Sequence, residues 1–119
     1  MKTREEIIEA YFRALGWKLE EPPSRVVYPA WVMPNGGRWA GASLPPIDRD
    51  FELFKKHVIE PMRERGMSPA IVVCSLDEKF KWEHADSYKR DSDWFTIADD
   101  QWLLVAIEAA TDVLEGGKE

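Results

Sequence analysis

A single cysteine, Cys74, stands in 119 residues, which excludes an internal disulfide framework and any site that needs two thiolates. Histidine is scarce as well, with His57 and His84 the two present. No run approaches the roughly 18 consecutive apolar residues of a membrane helix, and Met1-Lys2-Thr3-Arg4-Glu5-Glu6 leads into no signal-peptide stretch. A cytoplasmic protein without membrane contact is therefore expected. Cations are outnumbered, 16 Lys and Arg against 22 Asp and Glu, which argues against direct nucleic-acid binding because phosphates reward basic surfaces. No Gly-x-x-x-x-Gly-Lys phosphate loop occurs, and Asn35-Gly36-Gly37 reads as a turn, so no cofactor is implied.

What remains is the composition of a globular chain, 45% hydrophobic and 32% charged, and its length suits one domain over 1–119. The charge is unevenly spread. Residues 86–119 hold nine carboxylates against Lys89, Arg90 and Lys118, which accounts for the whole net charge of −6. One end or face of the fold should be acidic.

Thr3 followed by Glu6 reads as a capping box, and Ile7, Ile8, Tyr11, Phe12 and Leu15 recur at helical spacing up to Gly16, giving a helix over 4–15. Trp17 can fold back over that apolar stripe, and Glu20 to Ser24 reads as a connector, since Pro22 and Pro23 cannot continue a helix. Residues 26–47 predict a short irregular hairpin or long loop turning at Asn35-Gly36, with Pro29 and Pro34 demoting any strand to an edge. Asp48 or Asp50 can cap a second helix over 49–65, kinked or broken between His57 and Pro61. Ala70 to Leu76 is a β-branched run expected as a buried strand with Cys74 buried and unreactive, and Phe80, Trp82 and His84 alternate as its antiparallel partner. Trp94 to Ile97 forms a third strand, and a helix over 99–115 carries Trp102, Leu103, Ala106, Ile107 and Ala110 on one face. The expected fold is α+β, a three-stranded and mainly antiparallel sheet packed with three helices in a layered sandwich.

Six tryptophans are the unusual feature. Trp17, Trp82 and Trp102 fall on apolar stripes and belong to the core, whereas Trp31, Trp39 and Trp94 lie in or beside loops, where aromatic rings anchor interfaces. Tyr28, Trp31, Asn35, Arg38 and Trp39 together offer stacking faces, an amide and one cation, and form the candidate ligand or partner site. No catalytic residue is assigned, because Cys74 lies in an apolar strand away from any recognisable base spacing. His84, Asp86, Asp91 and Asp93 can in principle gather round a divalent ion, but their spacing matches no standard loop, so they read as a solvated acidic turn and no metal is expected.

The run from the helix ending at Gly16-Trp17, through the turn from Trp31 to Gly37, to Leu44-Pro45-Pro46 and the helix from Asp48 resembles the small ABA-sandwich proteins of tailed phages and prophages. Helix 49–65, the strand pair with Trp82 and the final helix with Ala106, Ala109 and Ala110 agree in layout, while the acidic loop 86–93 departs from the shorter members. The resemblance implies an α/β/α fold, a phage origin and a bacterial host cell as the setting, and carries over no active site. The expected function is a non-enzymatic accessory protein that inhibits or modulates a host factor, with defence factors among the targets, through its surface. Two alternatives follow from the same residues: a sponge for a small nucleotide immune signal, completed in a homodimer, and a small hydrolase.

Overall fold

The computed structural model describes residues 3–20, 30–40, 43–73, 77–86, 89, 91–97 and 101–116. Its first helix, α1 (Arg4–Ala14), begins where the Thr3 hydroxyl accepts the Glu6 N–H at 3.2 Å. The Glu6 carboxylate accepts that same hydroxyl's proton rather than reaching back to the Thr3 backbone. At the other end Gly16 takes φ +101°, Trp17 N–H donates to Phe12 O at 2.9 Å, and Gly16 N–H donates to Arg13 O at 3.0 Å. This is a Schellman stop, and it folds Trp17 back onto Phe12 with ring centroids 4.4 Å apart.

Trp17 turns directly into β1 (Lys18–Glu20), which pairs with β2 (Ala30–Val32), itself paired with β3 (Arg38–Ala40), all antiparallel. No strand was expected here, and Glu20, read as the start of a connector, ends β1 instead; the rest of that connector lies outside the described residues. β2 is the central strand, not an edge, because Pro34 falls in the turn beyond the strand and removes no ladder donor; Pro29 lies outside the described residues. Leu19, Trp31 and Trp39 sit side by side across this sheet.

Helix α2 starts at Asp50, whose carboxylate accepts the N–H groups of Glu52 and Leu53. It runs as an α segment Phe51–Phe54, a π turn Lys55–Ile59 and an α segment Glu60–Glu64, so the expected disturbance before Pro61 takes the form of a π turn. The cause is chemical. In a regular helix the N–H of residue 61 would donate to His57 O, and proline has none. The buried Tyr11 hydroxyl of α1 donates to that carbonyl instead, tying the two helices together across the core. Burial pushes the Tyr11 phenol well above its ordinary pKa, as a donor held against a carbonyl requires. A second tie joins α1 to the turn that leads into α2, Arg4 forking onto Asp48 with Nη2 to Oδ1 at 2.6 Å.

The second sheet is β4 (Met67–Val73), β5 (Glu78–His84) and β6 (Phe95–Ile97), antiparallel in that order. Among the described residues there are thus three helices and two three-stranded antiparallel sheets, where one sheet was expected. β4 starts earlier than anticipated and is not the buried strand that its composition suggested: Ile71, Val72 and Val73 are 47%, 41% and 74% exposed. It is an edge strand, and its far end runs past the cover of the helices. Cys74 and the remainder of that predicted strand lie outside the described residues.

Helix α3 (Trp102–Gly116) packs on α1, β5 and β6. Ala106, Ala109 and Ala110 are fully buried there, and their small side chains let Trp82 Nε1–H reach Ala106 O at 3.0 Å. One continuous core joins all layers, from Ile8, Tyr11 and Phe12 through Trp31, Phe54 and Met62 to Phe80, Trp82 and Ile107.

Candidate functional site

Of the expected aromatic site, Trp31, Asn35, Arg38 and Trp39 all fall on the β2–β3 hairpin, with Trp31 directly opposite Trp39. Tyr28 lies outside the described residues. Trp31, expected as an exposed anchor, is 1% exposed, a correction that follows from its place on the central strand facing the core, and the Arg13 guanidinium lies 5.1 Å from its ring centre. Asn35 spends its side-chain oxygen on the Gly37 N–H at 2.8 Å, closing the turn. Arg38 pairs with Glu20 across the sheet at 2.9 Å, and Trp39 is half-buried with its indole N–H on Ser43 O at 2.9 Å. Stacking face, amide and cation each serve the hairpin.

The acidic turn is likewise occupied by its own backbone and neighbours. Asp91 accepts the His84 N–H at 2.7 Å and the Lys81 ammonium at 3.0 Å, and the His84 N–H above all, with Lys81, holds its carboxyl below the usual range. His84 Nδ1 accepts the Asp86 N–H at 3.0 Å. Among the described residues no group of three histidine, cysteine or carboxylate side chains is placed to hold a metal ion. Ser92 plugs the flank of β5: its hydroxyl accepts the Trp82 N–H at 2.8 Å and its own N–H donates to Trp82 O at 2.9 Å. Trp94 stays half-exposed beside this turn, with Lys81 Nζ 4.7 Å from its ring centre. His57 meets the edges of Phe12 and Trp17, and burial, aided by Lys56, lowers its pKa.

A groove that the sequence reading did not anticipate lies between α1 and α3. It encloses about 500 Å³ lined by Glu6, Glu9, Ala10, Arg13, Leu114 and Glu115. A smaller hollow of about 140 Å³ continues it past Ile7, Phe95, Glu108 and Asp112. Glu6 and Glu9 share one face of α1, while Glu108, Asp112 and Glu115 share one face of α3 at spacings of four and three. Packing α1 on α3 brings the two rows together around an apolar floor of Ile7, Ala10, Phe95 and Leu114. Five carboxylates then face one guanidinium, that of Arg13, which already pairs loosely with Glu9 at 3.5 Å. The helical spacing of both rows was legible; their meeting was not.

Comparison with protein-family models, with curated proteins and with solved structures gives no match for this chain. Its function is therefore argued from its own surfaces. No helix among the described residues is long and apolar enough to cross a membrane.

Proposed function

We propose that this protein is a non-enzymatic binding protein whose groove between α1 and α3 receives a basic segment of a partner protein. The observation that carries this reading is the groove's lining, in which Glu6, Glu9, Glu108, Asp112 and Glu115 rim an apolar floor. A basic amphipathic segment fits that pattern, apolar side inward and Lys or Arg outward onto the carboxylates, and a field of one sign speeds its encounter. The resemblance to small phage proteins supports a host protein as the partner, one whose basic surface is blocked when the groove is filled. A host defence factor is one such target.

The same charge disfavours the nucleotide sponge, because an anionic ligand entering this groove meets repulsion, and Arg38, the cation of the aromatic loop, is already matched by Glu20. This reading assigns Trp31, Asn35, Arg38 and Trp39 to holding the hairpin. A Lys/Arg-rich helical peptide serves as the probe, titrated calorimetrically at low and moderate salt. Binding should weaken steeply with salt and fall at least tenfold in the Glu9→Lys/Glu115→Lys double variant, while Arg38→Ala leaves it unchanged. Binding indifferent to salt and to charge reversal would remove the groove from consideration.

A further inference from the structure

Among the described residues no strand pairs with the outer edge of β4, and the hydrogen bonds of its neighbour reveal what that edge offers. Trp82 N–H and C=O both bond to Ser92, on the side of β5 away from β4, and His84 N–H likewise turns away to Asp91. In an antiparallel ladder, paired residues alternate between exchanging both bonds and exchanging none. Pro69 faces Trp82, Ile71 faces Phe80 and Val73 faces Glu78, so these three are pairs that exchange none. Their backbone groups therefore point outward. Pro69 has no N–H to offer, which blunts the first half of the edge as prolines on natural edges do. Ile71 and Val73 keep theirs, and among the described residues no strand lies against them.

This pattern is self-complementary. With a two-fold axis at Val72, Ile71 of one copy faces Val73 of the other, and the two such pairs exchange four backbone hydrogen bonds. Chemistry also favours a second copy. β4 carries no charged residue, and β5 behind it carries Glu78 and Glu83 against Lys79 and Lys81, so this sheet is neutral in a chain of net charge −6. Two copies that repel elsewhere can meet here without opposition. Ile71, Val72 and Val73, the exposed aliphatic run of the strand, are the side chains such a contact would cover.

We infer that the Ile71–Val73 edge of β4 pairs antiparallel with the same edge of a second copy, joining two three-stranded sheets into one of six. This surface is separate from the acidic groove and independent of the function proposed for it. The contact is small beside the about 800 Å² per partner of a standard interface, so the dimer forms reversibly as concentration rises.

Sedimentation of the full chain across about 1 μM to 1 mM tests this. The wild type should shift from monomer to dimer over that range. Ile71→Pro removes an outward N–H without touching the β5 ladder, and Val73→Lys places a charge at the contact; each should weaken dimerisation at least tenfold with the circular dichroism spectrum unchanged. Val73→Lys keeps the test alive if the proline variant fails to fold. In a Cys74→Ser background, Val72→Cys should oxidise to a covalent dimer, since residues meeting on the axis without exchanging bonds lie about 4.5 Å apart at Cα. A wild type that stays monomeric throughout overturns the inference. So does a dimer that neither Ile71→Pro nor Val73→Lys weakens, or one that does not cross-link through Val72→Cys.

Discussion

Replacing Tyr11 by Phe removes one oxygen atom, yet it should take from the His57 carbonyl the donor that stands in for the amide proton Pro61 lacks. The His57 carbonyl takes its bond from the Tyr11 hydroxyl. A buried acceptor left unmatched costs about 1–3 kcal/mol, and about 1.5 is expected here because this bond is part-buried and Phe retains the ring packing. For 119 residues, an unfolding entropy of roughly 0.25 kcal/mol/K converts that into a fall of about 6 °C in Tm. The decisive comparison uses Pro61→Ala, which restores an N–H that can reach the same carbonyl. In that background Tyr11→Phe should cost only about 0.5 kcal/mol, a coupling of about 1 kcal/mol in the double-mutant cycle. Urea unfolding followed by tryptophan fluorescence gives all four stabilities. Equal costs for Tyr11→Phe in the two backgrounds would refute the claim that the hydroxyl substitutes for the missing amide.

The same phenol should shape the alkaline limb of stability. Its pKa is raised in the fold, so above the ordinary value of 10.0 the unfolded chain releases a proton that the native state keeps, and stability should fall as pH climbs; Tyr11→Phe should remove that part of the loss in a pH series of unfolding curves. His57 predicts the acid side. Its pKa is lowered, so below the ordinary 6.5 the unfolded chain takes up a proton that the native state resists, and stability should drop as pH falls through that value, a step that His57→Phe should abolish. Gly16→Ala should cost about 1–3 kcal/mol by thermal unfolding, because φ is +101° and the added Cβ would sit 3.1 Å from Pro34 Cγ. Trp31→Ala should cost about 3–5 kcal/mol as a large core truncation, and a variant that unfolds like the wild type would return Trp31 to the surface.

Where the chain's signals are local, sequence reasoning reached the structure. Thr3, Asp50, Gly16 and Gly66 mark helix ends because caps and positive φ angles act within a few residues. β1 was missed because Lys18–Glu20 is three residues long and becomes a strand only by meeting Ala30–Val32. Ile71 to Val73 were misjudged for a related reason: a β-branched run announces a strand, but whether a helix covers it depends on how far that helix reaches. The exposure of Trp31 was misjudged in the same way. Aromatic residues in a Pro- and Gly-rich stretch carry no mark of which face is inward, and the carboxylates of Glu9 and Glu115 become neighbours only when α1 packs on α3.

Ser92 occupies the flank of β5 where β6, three residues long, no longer reaches. One residue thus supplies both an acceptor and a donor to Trp82, as a neighbouring strand would. The Trp82 amide is consequently shielded from deuterium by a hydroxyl, and its exchange is governed by opening of the 91–93 segment as well as by parting of the sheet. In Ser92→Ala that amide should exchange faster while those of Phe80 and Lys81 hold their protection, so a single proton in the middle of the sheet would report the lifting of the turn beside it.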